Sequence, residues 1–335
     1  MYGGLPYFYI MFSGMVFGVL FSLSSVHWLS MWAGLEINLI CFLPLLMSSG
    51  SISETESAVK YFIFQSLGSV FFVAGSLYSY SLSFTWEVST TLGGSVLVLL
   101  GLLQKLGAAP FHWWFPGVMA GMSWPMCLML VTWQKLGPLL LLCSVHLYGC
   151  MFLVAASAAI SSLVGGIGGM NQTQARGLLA YSSIGHMGWL LFASLSSLEL
   201  VYFYFVSYVL ISCLVFIPFW YLSVNNLYTM SNVSDSPLLL SGLISMLSLA
   251  GLPPLLGFIP KWLVFMSSVQ YSSLWWFLGA LIAGSLLSIF YYLNLTMSAF
   301  LSGKTCMHVW SNSWPMYLFL GLLVHMGGGL LMFMW

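Results

Sequence analysis

Apolar residues in this chain come in runs of about twenty or more, one after another, separated by short polar connections. A helix of about 20 apolar residues spans the hydrocarbon core of a bilayer, so run length alone confines such a chain to a membrane. About eleven segments can be counted, near residues 5–24, 27–48, 57–81, 91–121, 123–145, 148–170, 175–196, 198–223, 237–269, 273–301 and 314–334. The longest polar connections are Ser48–Ser57, Ser81–Thr91, Ser223–Ser236 and Ser302–Asn312. The segments are uniformly apolar rather than alternating, which excludes a closed barrel. The expected fold is all-α: one polytopic membrane domain over residues 1–335.

Hydrophobic residues make up 61% of the chain and charged residues 4%, against about 25% charged in a soluble domain. No room is left for a soluble domain. The net charge of zero gives no reason to expect nucleic acid as a partner. The six cysteines form no CxxC or CxxH pair, so neither a metal site nor a disulfide framework is expected. The N-terminal residues run straight into an apolar helix without a basic region or a transit peptide. The expectation is that the first helix directs insertion, or that the protein is made beside its membrane. Abundant Met (21) and Trp (15) suit an organelle-encoded gene.

Loop cations set orientation. With the N-terminus on one side, eleven crossings place Lys60, Arg176 and Lys304 on that side. The opposite loops carry only Glu87 and Glu199. The N-terminus is therefore expected on the cytoplasm-like side and the C-terminus opposite.

Two segments are too long and carry helix breakers. The fourth reads Gly101-Leu-Leu-Gln-Lys105-Leu-Gly-Ala-Ala-Pro110-Phe-His112-Trp-Trp-Phe-Pro116. The ninth reads Leu249-Ala-Gly251-Leu-Pro253-Pro254-Leu-Leu-Gly257-Phe-Ile-Pro260-Lys261. Proline removes a backbone donor and clashes with the preceding turn, so interruptions are expected near Ala109–Phe111 and Pro253–Gly257. The breaks lie five helices apart. An odd offset reverses direction across the membrane, so the halves are expected to be inverted five-helix repeats, at about 5–145 and 148–301, followed by a helix at about 314–334. Paired interruptions of this kind point to a transport path.

Only 12 residues are Asp, Glu, Lys or Arg, and four of them lie inside apolar segments: Glu36, Lys105, Lys135 and Lys261. A charge at bilayer depth costs about 2.5–3.5 kcal/mol on insertion scales, and such groups mark ion or proton pathways by default. Burial favours a neutral lysine, whereas a nearby carboxylate favours the charged one. A movable Glu36–Lys105 contact could thus switch the lysine between holding and releasing a proton. Lys135 and Lys261 extend the row, and His112 and His186 could bridge it through water. The plain alternatives are structural ion pairs, lysines that snorkel from helix ends, and satisfied core histidines. Lys60 follows Glu56 at a favourable i,i+4 spacing and reads as a boundary pair.

Several strings resemble a known family. They are Gly34-Leu-Glu-Ile-Asn38, Glu56-Ser-Ala-Val-Lys-Tyr-Phe62, Lys105-Leu-Gly-Ala-Ala-Pro-Phe-His-Trp-Trp114, Thr132-Trp-Gln-Lys135, Asn171-Gln-Thr-Gln174, Ala180-Tyr-Ser-Ser-Ile-Gly-His-Met-Gly-Trp189 and the second break through Trp262. Together, and in this order, they are similar to subunit 2 of mitochondrial NADH dehydrogenase (ubiquinone), an antiporter-like subunit in the membrane arm of respiratory complex I. The resemblance covers about residues 30–300. It implies a proton-translocating subunit in which Glu36 and Lys105 are the coupled pair, Lys135 the central relay and Lys261 the distal site. It implies the mitochondrial inner membrane, with the N-terminus toward the matrix and the C-terminus toward the intermembrane space. It also implies that three N-terminal helices of bacterial relatives are missing. The expected partners are other membrane-arm and accessory subunits and lipids, cardiolipin among them. No cofactor is expected in this chain; FMN, iron–sulfur clusters and ubiquinone would belong to partner subunits. A stand-alone cation/proton antiporter and a purely structural module remain as alternatives. The first lacks an acidic cluster to bind Na⁺, and the second leaves the paired breaks and the lysine row without a reason.

Overall fold

The computed structural model describes residues 6–48, 50–84, 92–144, 149–224, 236–269 and 272–301, together with Gly321 and His325. Its secondary structure over these residues is helical. Two units follow each other in the chain, Met1–Ser157 and Ala158–Trp335.

The first unit opens with α1 (Pro6–Ser24), α2 (Trp28–Leu46) and α3 (Ile52–Ser83). Helix α3 starts five residues before the expected boundary. Ser51 accepts a hydrogen bond from the Glu54 backbone N–H, and the Ser-x-x-Glu spacing is a helix-start signature. At about 1.5 Å per residue, 32 residues make a rod longer than the hydrocarbon core is thick.

Close helix contact in this unit runs through small residues. A Cβ on Gly18 would lie 2.8 Å from the Gly34 carbonyl oxygen, which brings α1 against α2. Helix α4 (Leu92–Leu106) lies on α3 in the same way. A Cβ on Gly75 would meet the Gly94 carbonyl at 2.8 Å, and one on Gly101 the Gly68 carbonyl at 2.7 Å. Each pair is seven residues apart, two helical turns, so both glycines of a helix line one face. Where lipid tails are as apolar as the side chains, such backbone approach carries much of the association.

Helix α4 ends at Leu106, and the chain resumes helix only at α5 (Trp114–Gly121). The next segment is one span, Trp124–Ser144, as expected, but it is bent at Thr132 between α6 (Trp124–Val131) and α7 (Trp133–Ser144). The Thr132 hydroxyl donates to the Leu128 carbonyl at 2.7 Å, a back-bond that bends helices. Pro138 lies a turn and a half further on.

Helix α8 (Met151–Met170) leads into the second unit, followed by α9 (Ala175–Ala193) and α10 (Leu198–Tyr221). The second long segment is again split, into α11 (Ser236–Ala250) and α12 (Phe258–Ser268), and α13 (Trp275–Leu301) comes last. Among the described residues seven spans are long and apolar enough to cross a membrane, against the eleven expected. The remaining four segments differ for identifiable reasons. Two are the interrupted ones, whose apolar pieces are short. The third is α9, which carries Arg176 and His186 and is buried along nearly all its length, so lipid does not select its composition. The expected helix at 314–334 lies outside the described residues apart from Gly321 and His325.

Both interruptions begin alike. Gly107 (φ +68°) and Gly251 (φ +86°) adopt the left-handed conformation just past α4 and α11. Their N–H groups donate to Gln104 and Ser248, and the following Ala108 and Leu252 donate to Leu103 and Leu247. This is the Schellman helix end, which glycine favours because a Cβ is strained there. The correspondence continues at a constant offset of 144 residues: Pro110 with Pro254, Trp114 with Phe258 at the helix restart, Pro116 with Pro260. The lysines do not follow it. Leu249 stands where Lys105 would be, and Gly117 where Lys261 would be.

Candidate functional site

In the first unit, Lys105 sits in the last turn of α4, one residue from the helix end. Its Nζ lies 3.3 Å from Oε1 of Glu36 on α2. The two side chains keep 3% and 22% of their surface exposed, respectively. The glycine seam makes this possible. A Cβ on Gly68 would already lie 3.1 Å from Lys105 Cγ, so α3 comes close enough to wrap the lysine stem and exclude lipid. The Gln65 amide donates to the Lys105 carbonyl at 3.3 Å, which occupies a carbonyl that the Schellman end leaves over.

A second polar group joins Asn38, Tyr61 and Gln134. Asn38 Nδ2 donates to Gln134 Oε1 at 2.8 Å, and the Tyr61 hydroxyl donates to the same oxygen at 3.2 Å. Gln134 thus ties α2, α3 and α7 together next to Lys135. Lys135 is 2% exposed, with Nζ 4.8 Å from the centre of the Phe115 ring on α5. An aromatic face attracts an ammonium, more so where water is excluded. His112 lies in the break, buried, its ring stacked on Trp113 with centroids 4.8 Å apart. Among the described residues no direct hydrogen bond joins it to Lys105 or Lys135.

The second unit solves the same problem differently. Lys261 is buried on α12, and its Nζ donates to the Ala250 carbonyl at 2.8 Å and to Leu249 at 3.4 Å. These are final carbonyls of α11 that its Schellman end leaves free. A helix C-terminus carries a partial negative charge that favours a cation. Lys105 therefore faces a carboxylate, whereas Lys261 faces a helix end. Gly251 is part of that fit, because a Cβ there would lie 3.0 Å from Lys261 Nζ.

His186 on α9 is buried, and its Nδ1 pairs with the Tyr204 hydroxyl at 3.0 Å. Its ring also lies 5.0 Å from that of Tyr208. Tyr204 and Tyr208 are four residues apart on α10 and so share a face. His186 and Lys261 both line one cavity of about 20 Å³, room for about one water molecule.

Glu36 with Lys105, and His186 with Lys261, are thus brought together within their units. Gln65, Asn38, Tyr61, Gln134, Tyr204 and Tyr208 were not singled out from sequence. The available signal was their spacing within apolar helices: Tyr61 and Gln65 at i,i+4 with Gly68 at i+7, and Tyr204 with Tyr208.

Residues 25–290 match the family described as NADH:quinone oxidoreductase/Mrp antiporter, transmembrane. NADH-ubiquinone oxidoreductase chain 2 of Lumbricus terrestris is 38% identical over 295 residues, 86% of this chain and 85% of that one. The corresponding chain of Anopheles gambiae is 38% identical over 307 residues, 90% and 86% of the two chains. A chain of the solved respiratory complex I from Thermus thermophilus superposes with a TM-score of 0.81 at 27% identity, covering 96% of this chain and 79% of that one. The chain belongs to the NADH:quinone oxidoreductase/Mrp antiporter transmembrane family, and within it to the NADH-ubiquinone oxidoreductase chain 2 proteins.

Proposed function

We propose that this chain is the proton-translocating, antiporter-like subunit of an NADH:ubiquinone oxidoreductase, handling protons at Glu36, Lys105 and Lys135 in one half and at His186 and Lys261 in the other, with His112 beside the first break. The observation that carries the reading is the Lys105–Glu36 contact of 3.3 Å, placed at the end of an interrupted helix in a chain of this family. While the pair is closed, the carboxylate keeps the ammonium charged. When it opens, apolar surroundings favour the neutral amine and the proton leaves. The breaks supply a place for such movement, since non-helical backbone at membrane depth is tolerated only where it is buried in protein or lines water.

The recurring helix end at a 144-residue offset supports a pair of inverted five-helix repeats within eleven spans. Loop cations support an N-terminus in the matrix and a C-terminus in the intermembrane space of the mitochondrial inner membrane. In this reading the redox groups, namely FMN, iron–sulfur clusters and ubiquinone, belong to partner subunits. The chain's neighbours are then membrane-arm and accessory subunits and lipids. A free antiporter would migrate in mild detergent as a monomer or dimer, whereas this reading expects a large NADH-oxidising assembly. Replacing Lys105 with Met removes the charge at nearly constant length. The assembled enzyme should then lose most NADH-driven proton pumping while its assembly is kept. Normal pumping by Lys105→Met membranes would refute the role.

A further inference from the structure

Phe115 stands in the first turn of α5, straight after the first break, and is 1% exposed. The Nζ of Lys135, a residue that is itself buried, lies over its ring at 4.8 Å from the centroid. Its neighbours leave that ring little freedom to turn. A Cβ on Gly107 would lie 3.1 Å from Phe115 Cδ2 and 3.4 Å from its Cβ, so the left-handed glycine that ends α4 is also what gives the ring its room. The Trp114 ring meets it edge-on, with centroids 5.4 Å apart. The Phe115 backbone N–H donates to the His112 carbonyl at 3.0 Å, which ties the residue to the break. Taking an ammonium out of water is costly unless something replaces its hydration. An aromatic face within about 6 Å replaces part of it, and is worth more where water is excluded. Leucine or methionine at this position would fill the space without offering such a face.

We propose that Phe115 is a positioning residue of the relay, its ring seated at Gly107 and its face holding the Lys135 ammonium in place; this rests on the relay reading given above. The ring neither gives nor takes a proton. It acts through Lys135, by compensating part of the hydration the ammonium has lost and by fixing where the charge sits. Pre-set geometry of this kind matters because the ring is already in position when the lysine is charged and need not rearrange to receive it.

The test compares Phe115→Tyr, Phe115→Leu, Phe115→Met and Lys135→Met in the assembled respiratory membrane. Tyrosine keeps the aromatic face, whereas leucine and methionine keep apolar bulk without it. The readout is the rate of proton pumping at equal content of NADH-oxidising enzyme. Phe115→Leu and Phe115→Met are each expected to pump about tenfold more slowly, the scale of one desolvated cation–aromatic contact, and Phe115→Tyr to stay within about twofold of the unaltered enzyme. A ring that only fills space gives the opposite order, because leucine and methionine suit an apolar core and tyrosine adds a hydroxyl to a buried site. That order overturns the proposal. Lys135→Met is expected to stop pumping. If it does so while Phe115→Leu and Phe115→Met pump normally, the proposal falls alone. If Lys135→Met pumps normally, the relay reading fails at Lys135 and this inference with it. Should the leucine and methionine variants not assemble, a high-resolution map of the unaltered enzyme decides. An ammonium over the ring face within about 6 Å of its centre supports the proposal, and one further away or at the ring edge overturns it.

Discussion

Lys105 and Glu36 are buried unequally, at 3% and 22% exposure, and that asymmetry governs what each substitution does. Removing one partner of a fully buried pair costs about 3–5 kcal/mol, because the other charge is left uncompensated. Glu36→Gln strands the more deeply buried lysine, but residual solvent at position 36 should hold the cost below that range. Adding Lys105→Met removes the stranded charge. The double variant is therefore expected to be more stable than Glu36→Gln alone, a non-additivity typical of contacting residues. Thermal unfolding of the detergent-solubilised enzyme measures it, and a double variant less stable than Glu36→Gln would contradict the pairing. Among the described residues no carboxylate is paired with Lys261. Its ammonium is held by the Ala250 and Leu249 carbonyls, so its counter-charge is built from backbone and cannot be removed by changing one acidic residue.

At the scale of elements, the two helix breaks depend on glycine where the backbone turns left-handed. Gly251→Ala should cost about 1–2 kcal/mol from φ alone, and its Cβ would also crowd Lys261 Nζ at 3.0 Å. Gly50 offers a control. It shares a positive φ of +70°, but a Cβ there meets nothing within 4 Å. Gly50→Ala is expected to lower stability modestly and leave pumping intact, whereas Gly251→Ala should lower both. Equal effects on pumping would show that the α11 end does not hold the lysine. The bend at Thr132 teaches a related lesson. Segment 123–145 is long and mostly apolar, and run length alone could not reveal the hydroxyl back-bond that bends it.

For the whole molecule, each unit carries its own lysine beside its own broken helix, so the two can act in series or in parallel. Sites in series give a Lys105→Met/Lys261→Met variant that pumps no less than the weaker single variant. Parallel routes give losses that add, so that the double variant pumps less than either single variant. Pumping rates of the three variants, measured on membranes of equal enzyme content, distinguish the two, and the single relay read here expects the series result. Much of this architecture was legible in the residues. Run length made the chain a helical membrane protein because lipid offers the backbone no hydrogen bonds. Gly107, Pro110, Gly251 and Pro254 marked the breaks because backbone sterics act locally. Glu36, Lys105, Lys135 and Lys261 stood out because charge is costly among apolar side chains. The early start of α3 was legible too, in Ser51 and Glu54, although an apolar-run count passes over it. Pairing was not legible. That Lys105 meets a carboxylate while Lys261 meets a helix end, that Gln134 joins three helices, and that Tyr204 claims one nitrogen of His186 are contacts between residues 18 to 96 positions apart, except for Lys261, whose partners lie 11 and 12 positions away. Local rules fix where a helix begins, ends and breaks. Which faces meet is decided by the close approach of Gly68, Gly101 and their neighbours, and only the folded chain brings those together.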